Sequence, residues 1–218
     1  MTISNQARDR VKAVFEPIAL GLGRLGLTPD ALTLLGFAIT VAGAGLVASG
    51  NWTLGGIVIF LGGVFDMFDG TLARATGKVS RLGAFMDSVF DRWGEAIVYL
   101  GIVAGAVLGG HERVPILAAA AMGAAFMVSY ARAKSEGLGF TTGTGMAAIG
   151  IMPREVRLAI LSLGLILTDG PNIKAIELAL AIIAVGATIT TIQRILHVRG
   201  QANREAPSRP TDTKQEHT

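Results

Sequence analysis

The chain has 218 residues, of which 51% are hydrophobic and 16% charged, with a formal net charge of +3. Its mean hydropathy is +0.54, and several apolar runs approach the length of a bilayer crossing, so the composition predicts an integral membrane protein rather than a soluble domain. The lack of Cys excludes disulfides and thiolate metal sites, and the 29 Gly residues favour closely packed helices over a β-barrel.

The first predicted element is a charged N-terminal segment, residues 1–26. Charged residues continue as far as Glu16, and no short apolar region is followed by a small-residue cleavage site, so the segment does not resemble a signal peptide. We expect it to form a short amphipathic helix that lies on the membrane surface.

Six membrane spans are predicted after this segment, within a single membrane domain of residues 27–198. Each is an apolar run bounded by turn residues or charges, and the fifth is the shortest. The spans are residues 31–49, 52–75, 83–108, 115–134, 156–168 and 175–198. The expected fold class is an all-α integral membrane protein with six transmembrane helices and an N-terminal juxtamembrane helix.

The basic residues predict the orientation of these spans in the cell membrane. Three connections carry turn residues and lie on one face, at residues 50–51, 109–111 and 169–172. Of the 19 Lys and Arg residues, only Arg113 and Lys174 fall on that face, and basic residues accumulate on the cytoplasmic side. Both termini are therefore expected in the cytoplasm. The polar tail, residues 199–218, lacks apolar periodicity and is predicted to be disordered.

Four aspartates in the second and third spans are the strongest functional signal. Asp66 and Asp69 are three residues apart, and Asp87 and Asp91 are four apart, so each pair lies on one face of its helix. At about 1.5 Å per residue, all four lie at a similar depth near the cytoplasmic side. Carboxylates in a membrane span are costly and mark a functional site. Opposed in this way, they would repel one another unless cations neutralised them.

The chemistry of this cluster predicts a metal ion and a phosphate substrate. Oxygen ligands without Cys or a nearby His favour Mg²⁺ or Mn²⁺, and such an ion commonly binds phosphate oxygens. Gly70 and Gly83 would let a ligand approach the helix backbone, and Ala73 keeps the same wall low. Arg74 offers a planar fork of donors for phosphate. We therefore expect the substrate to contain a phosphoanhydride or a phosphate ester.

These positions resemble the signature of the CDP-alcohol phosphotransferase family. The chain reads Asp66-x-x-Asp69-Gly70-x-x-Ala73-Arg74 and, after eight residues, Gly83-x-x-x-Asp87-x-x-x-Asp91, which matches all eight fixed positions with their spacing. Near the first span, Pro29 and Thr33 resemble the family's Pro-Asn-x-x-Thr element, with Asp30 where Asn is usual. The resemblance covers roughly residues 28–198.

The resemblance implies a membrane enzyme of phospholipid synthesis. Such an enzyme transfers the phosphatidyl group of CDP-diacylglycerol, or a related CDP-lipid, to an alcohol and releases CMP. By motif position, Asp66, Asp69, Asp87 and Asp91 would bind Mg²⁺ or Mn²⁺, two ions in all, and Asp91 would be the general base for the acceptor hydroxyl. A homodimer is also implied. The residues that would contact the CDP-lipid are Pro29, Thr33, Asp66, Asp69, Gly70, Ala73, Arg74 and Gly83.

Basic residues at three helix ends suggest the acceptor. Lys134 ends the fourth span, Arg154 opens the fifth, and Arg194 lies near the end of the sixth, where together they would bind an anionic phosphate. Their positions are similar to those of the residues that hold inositol phosphate in bacterial phosphatidylinositol phosphate synthases. Inositol phosphate is therefore the expected acceptor. Glycerol 3-phosphate is the alternative, because it would fit the same basic pocket.

A cation transporter is an alternative of another class, because carboxylates inside a membrane also mark ion pathways. A pathway needs polar groups as far as the outer face, whereas the outer halves of the two spans, residues 54–65 and 96–108, are nearly uncharged. The site is therefore expected to be a pocket open on one side. Glu95 continues the stripe of Asp87 and Asp91 outside the family pattern, and we expect it to pair with a neighbouring basic residue. Membrane lipids are expected partners, and nucleic acid is not.

Overall fold

The computed structural model describes residues 5–140, 145–168 and 172–205, with side chains described between residues 15 and 204 of these ranges. No β-strand occurs within them, which confirms the all-α prediction. The helices are α1 (Asn5–Arg24), α2 (Pro29–Ala48), α3 (Trp52–Ala75), α4 (Arg81–Leu108), α5 (Arg113–Gly137), a short 3₁₀-helix (Met146–Ala148), α6 (Arg154–Ile166) and α7 (Lys174–Glu205).

Helices occupy all six ranges predicted to cross the membrane, and four of them are long and apolar enough to do so. These are α2, α3, α5 and α7, with mean hydropathies of 2.1, 1.5, 1.8 and 2.1 over their most apolar 18 residues. In α4, Asp91, Arg92 and Glu95 interrupt the apolar run, and α6 has only 13 residues. The protein is therefore a helical membrane protein, and the crossing of the membrane by α4 and α6 stays a prediction.

Polar side chains define where α2 and α4 begin. The Thr28 Oγ1 accepts a hydrogen bond of 3.2 Å from the Ala31 N–H, and Pro29 follows at the first helical position. The Ser80 Oγ accepts one of 2.9 Å from the Gly83 N–H in the same way. Both caps satisfy N–H groups that have no partner within the helix, and both lie at the end of the bundle where α3 terminates.

Small residues bring α2 and α3 into backbone contact. A Cβ atom on Gly43 would lie 2.9 Å from the Ile59 nitrogen and 3.1 Å from the Gly55 carbonyl oxygen, which is too close for any side chain. Helices in lipid associate through such residues because dispersion contacts, rather than burial from water, drive their packing. The composition rich in Gly and Ala predicts this arrangement.

The main core lies between α2, α3, α4, α5, α6 and α7, towards the half of the bundle away from the aspartates. Its largest fully buried members are Tyr99, Ile59, Ile102, Leu165, Ile176, Leu180 and Ile183. A smaller cluster joins α1 to the start of α2 and the end of α3 through Ala19, Leu32, Phe68 and Leu72. The predicted N-terminal helix is therefore present and packed on the bundle. Its amphipathic character stays a prediction, because side chains before Phe15 lie outside the described residues.

The C-terminal helix is longer than expected. Helix α7 continues past residue 198 to Glu205, so the first part of the tail predicted to be disordered is helical. Between the start of α7 and Pro207 the sequence contains no Pro, and Pro207 disfavours helix in the residue before it. Residues 206–218 lie outside the described residues. The effect of this topology is that the end of α3 and the beginnings of α2, α4 and α6 meet at one end of the bundle.

Candidate active site

Helix α3 contributes Asp66 and Asp69 near its C-terminal end. Asp69 is buried, with 7% of its surface exposed, and its Oδ2 accepts a hydrogen bond of 2.5 Å from the Thr33 hydroxyl of α2. Its Oδ1 also accepts a hydrogen bond from the Gly70 N–H. The Thr33 hydroxyl lies 3.2 Å from the Pro29 carbonyl oxygen as well. The orientation of the Asp69 carboxylate is therefore fixed by two helices.

Helix α4 turns Asp87 towards this pair. Asp66, Asp69 and Asp87 each offer a carboxylate oxygen, and these three oxygens lie within 4.8 Å of one another. The two acidic faces predicted from the spacing thus oppose each other in the folded chain. Three carboxylates at this separation repel strongly, and a hard divalent cation that prefers oxygen ligands matches their number and chemistry. The residues present fit a Mg²⁺ or Mn²⁺ centre.

Asp91 lies one turn deeper on α4 and has arginine partners. Its Oδ1 is 2.8 Å from Nη2 of Arg154, and its Oδ2 is 3.3 Å from Nη1 of Arg92. Arg154, the first residue of α6, also donates a hydrogen bond of 2.7 Å from Nη1 to Oδ2 of Asp66. The guanidinium of Arg154 therefore links α3 to α4 through the carboxylates of Asp66 and Asp91.

The other motif residues surround the carboxylates at the same end of the bundle. The guanidinium of Arg74 folds back along α3, with Nη1 3.2 Å from the position that a Cβ atom would take on Gly70. Gly83 faces the Asp30 carboxylate at the start of α2, and Ala73 lies half-buried on α3. Thr33 and Gly70 contact Asp69 directly, and Pro29, Ala73, Arg74 and Gly83 lie at the same end of the bundle.

The remaining two basic residues of the predicted acceptor pocket behave differently from Arg154. Lys134 is exposed on the last turn of α5. Arg194 is 4% exposed, and it donates hydrogen bonds from Nε to the Ile149 carbonyl, 3.0 Å away, and from Nη1 to the Val128 carbonyl, 2.5 Å away. Within the described part of the chain, neither residue forms an ion pair with the four aspartates.

A second buried ion pair lies next to the site. Arg157 of α6 forms two hydrogen bonds with Glu95 of α4, of 2.8 Å and 2.9 Å. This confirms that Glu95 pairs with a basic residue, although the partner lies on another helix. Two spacings in the sequence are consistent with the pair. Glu95 follows Asp91 by four residues and Arg157 follows Arg154 by three, so each lies on the same helix face as a residue of the site.

A cavity opens beside the carboxylates. Its polar wall is formed by Asp66, Glu95 and Arg154, and its apolar wall includes Phe37 and Phe90. The glycines of α2, α3 and α4 make room for it. The site therefore combines a cluster of carboxylates, a paired arginine and space for part of a substrate.

The fold and the site define a helical membrane protein with a cluster of carboxylates whose oxygens could hold a divalent metal ion. Residues 26–193 match the CDP-alcohol phosphatidyltransferase family, and the chain belongs to this family. It is accordingly a phosphotransferase of phospholipid biosynthesis, which confirms the resemblance seen in the aspartate motif.

Individual relatives agree with this assignment. The archaetidylinositol phosphate synthase of Pyrococcus horikoshii is 35% identical over 195 residues, which are 89% of this chain and 96% of that protein. A crystal structure of Mycobacterium tuberculosis phosphatidylinositol phosphate synthase with CDP-DAG bound is 33% identical, with a TM-score of 0.74, and covers 85% of this chain and 94% of that one. Another crystal structure of that protein, in complex with manganese and citrate, also has a TM-score of 0.74 at 33% identity, covering 85% and 88%.

Proposed function

We propose that this protein transfers the phosphatidyl group of CDP-diacylglycerol to the hydroxyl of inositol phosphate and releases CMP. The observation that carries the proposal is the meeting of Asp66, Asp69 and Asp87 within 4.8 Å, with Arg154 joining Asp66 to Asp91. The relatives support the substrates, because two of them are named for inositol phosphate lipids and one was crystallised with CDP-DAG.

Asp66, Asp69, Asp87 and Asp91 would hold two Mg²⁺ or Mn²⁺ ions. Such ions neutralise the pyrophosphate oxygens and stabilise the charge that develops on CMP as it leaves. Thr33 fixes the orientation of the Asp69 carboxylate through its hydroxyl. A structural neighbour was crystallised with manganese, which supports a divalent ion as the cofactor.

Asp91 takes the proton of the acceptor hydroxyl in this proposal. The acceptor oxygen then forms a bond to the phosphorus that carries diacylglycerol, and the bond from that phosphorus to the CMP oxygen breaks. Asp91 suits this role because it lies outside the group of three closest carboxylates and is still in contact with Arg154. A positioned carboxylate acts as a general base when it reaches the proton that it removes.

The CDP part of the donor lipid would lie over the end of α3 and the start of α4. Gly70, Ala73 and Gly83 leave the backbone accessible there, and Arg74 supplies a guanidinium beside Gly70. Pro29 and Thr33 border the same region from α2. Membrane lipid chains of the donor would extend from this end of the bundle along the apolar helices.

We infer that the phosphate of the acceptor binds to Arg154, Lys134 and Arg194. Arg154 is already inside the site, and Arg194 adds a buried positive charge where α5, α7 and the connection before α6 meet. Basic groups of this kind bind phosphate through charge-assisted hydrogen bonds. Glycerol 3-phosphate carries the same group and is the second candidate.

An assay of purified protein in lipid nanodiscs tests the proposal. CMP release from CDP-diacylglycerol is measured with inositol phosphate, glycerol 3-phosphate, serine and free inositol, each with and without Mg²⁺ or Mn²⁺. We expect release only with a divalent ion, and with inositol phosphate the best acceptor. A higher kcat/KM for glycerol 3-phosphate would identify it as the acceptor instead of inositol phosphate. If no acceptor gives CMP release, the proposed reaction is wrong.

The same preparation tests the transporter alternative. Reconstituted vesicles with a fluorescent reporter for divalent cations inside would show uptake if the carboxylates formed a pathway. Membership in a transferase family and the uncharged outer half of α4 both favour the enzyme. We expect no uptake above that of vesicles without protein.

Oligomeric state and domain layout complete the proposal. We propose a homodimer of the membrane domain, residues 27–198, with the N-terminal segment 1–26 on the membrane surface and the C-terminal tail in the cytoplasm. Light scattering of the protein in nanodiscs or detergent, corrected for bound lipid, should give twice the chain mass of 22.6 kDa. A single chain per particle would contradict the homodimer.

A further inference from the structure

The ion pair between Glu95 and Arg157 lies next to the catalytic carboxylates and outside the eight positions of the family motif. Arg157 has 1% of its surface exposed, and its Nε and Nη2 bind the two oxygens of Glu95 at 2.8 Å and 2.9 Å. A pair as deeply buried as this is costly to desolvate, so its contribution to stability is small or negative. Its geometry suggests a different use.

Arg157 also binds the chain just before α6. Its Nη1 donates a hydrogen bond of 3.1 Å to the Met152 carbonyl, while the Met152 N–H donates one of 3.0 Å to the Thr190 hydroxyl of α7. Met152 is therefore fixed from both sides. Arg154 follows two residues later, so the position of its backbone depends on these contacts.

Two ion pairs, one helical turn apart, connect α4 to α6. Asp91 pairs with Arg154, and one turn along both helices Glu95 pairs with Arg157. Spacings of four residues on α4 and three on α6 put each set on one helix face. The Glu95–Arg157 pair is the more buried of the two, and it limits how far Arg154 can shift relative to Asp91.

We propose that Glu95 and Arg157 are positioning residues, which hold the start of α6 so that Arg154 reaches Asp66, Asp91 and the phosphate of the acceptor. This inference rests on the proposed function, because it assigns Arg154 to the acceptor side of the reaction. Loosening α6 should weaken use of the acceptor and leave binding of the CDP-lipid to α2, α3 and α4 intact.

A double substitution, Glu95→Met with Arg157→Met, is the first test. Replacing both partners avoids an unpaired buried charge and keeps similar volume, so the protein is expected to fold. A displacement of about 1 Å near reacting groups can cost about 100-fold in rate. We expect kcat/KM for inositol phosphate to fall by about 10- to 100-fold, with a raised KM for the acceptor and an unchanged KM for CDP-diacylglycerol.

The control exchanges an ion pair that lies on the surface. Arg132 and Glu136 on α5 form a pair of 2.9 Å with both side chains more than 40% exposed. Arg132→Met with Glu136→Met should leave both KM values unchanged. An unchanged KM for the acceptor in the double variant of Glu95 and Arg157 would overturn the proposal. An equal fall in kcat/KM for donor and acceptor would also overturn it, because it would show that the pair only supports the fold.

Arg157→Lys tests the same point if the double variant does not fold. Lysine keeps the charge beside Glu95 but lacks the fork that also reaches the Met152 carbonyl. A raised acceptor KM is expected, and wild-type values would overturn the proposal.

Amide hydrogen exchange of residues 149–157 gives a readout independent of activity. Exchange should be faster in whichever variant folds than in the wild type, and equal rates would overturn the positioning role. If wild-type protein releases no CMP with any acceptor, the proposed reaction fails, while the exchange rates still decide whether the pair holds the start of α6.

Discussion

Asp91 differs from the other three aspartates in its partners. Its carboxylate lies between Arg154 and Arg92, at 2.8 Å and 3.3 Å, whereas Asp69 is bound by a hydroxyl and a backbone N–H. Two guanidinium groups therefore fix the orientation of the Asp91 carboxylate.

Replacing Asp91 separates binding from chemistry. Asp91→Asn keeps the shape of the side chain but removes the proposed base, so kcat should fall by about 100-fold or more. Binding of CMP, measured by calorimetry, should remain close to that of the wild type. Glu112→Gln, immediately before α5 at the other end of the bundle, is the control and should leave turnover unchanged. Turnover like the wild type in Asp91→Asn would remove the assigned role.

Thr33 supports the metal centre without contacting the ion in this proposal. Thr33→Val keeps the volume but removes the hydroxyl that binds Asp69, and the loss of such a supporting hydrogen bond typically lowers metal affinity by about 10- to 100-fold. A Mn²⁺ titration followed by electron paramagnetic resonance measures this. Thr53→Val, at the far end of α3, removes a hydroxyl that binds the Thr168 carbonyl and should leave the affinity unchanged. Equal affinities in all three proteins would contradict the role.

Arg154→Ala tests the basic acceptor pocket. Loss of the guanidinium should raise the KM for inositol phosphate and for glycerol 3-phosphate, because each loses a charge-assisted hydrogen bond of about 1.5–3 kcal/mol. Binding of CDP-diacylglycerol should be retained. Arg113→Ala, at the opposite end of the bundle, serves as the control. If the acceptor KM values do not change, the acceptor phosphate does not bind to Arg154.

At the scale of the helices, glycines bring the backbones of α2 and α3 into direct contact. Gly43 lies where a side chain would meet the backbone of α3, whereas Gly45, two residues further along α2, has no atom within 4 Å of the position of a Cβ. The two glycines therefore form a matched pair in one helix.

Gly43→Ala should force the helices apart and destabilise the protein by about 1–3 kcal/mol. Gly45→Ala should be neutral or slightly stabilising, because alanine is the better helix former by up to about 1 kcal/mol. Thermal inactivation in nanodiscs compares the two variants. Equal midpoints for both would contradict a close contact between α2 and α3.

The sequence predicts the helices and the aspartate cluster well, for physical reasons. Apolar runs must be helical in lipid, since every backbone group needs a partner there, and spacings of three and four put the carboxylates on one face. The ends of the helices were less predictable. Nothing in the composition of residues 199–205 indicates that α7 continues, because the helix is extended from its packed part rather than by a local signal.

The contacts of Arg154 and Arg194 with distant parts of the chain depend on packing that the sequence does not specify. The sequence places Arg154 near the site, but only the packing of α6 against α3 brings its guanidinium to Asp66, and across to Asp91 of α4. Likewise, Arg194 was predicted from its position at a helix end, and its contacts with the Ile149 and Val128 carbonyls depend on how α5 and α7 meet.

At the scale of the whole molecule, the orientation of the bundle can be tested by labelling. The chain contains no Cys, so one introduced thiol is unique. In inside-out membrane vesicles, Lys78→Cys in the turn between α3 and α4 should react with an impermeant maleimide. Glu112→Cys, before α5, should react only in intact cells or right-side-out vesicles. Labelling of both from the same side would contradict the orientation.

The proposed catalytic groups lie near the end of α3 and the starts of α4 and α6, and this placement would determine where newly made lipid first enters the bilayer. Product that forms at one end of the bundle would leave into the adjoining monolayer, because the carboxylate cluster and the cavity beside it lie at that end. Growth of the other monolayer would then need a separate step that moves headgroups across the hydrocarbon. Synthesis by this enzyme therefore generates an asymmetry between the two halves of the bilayer.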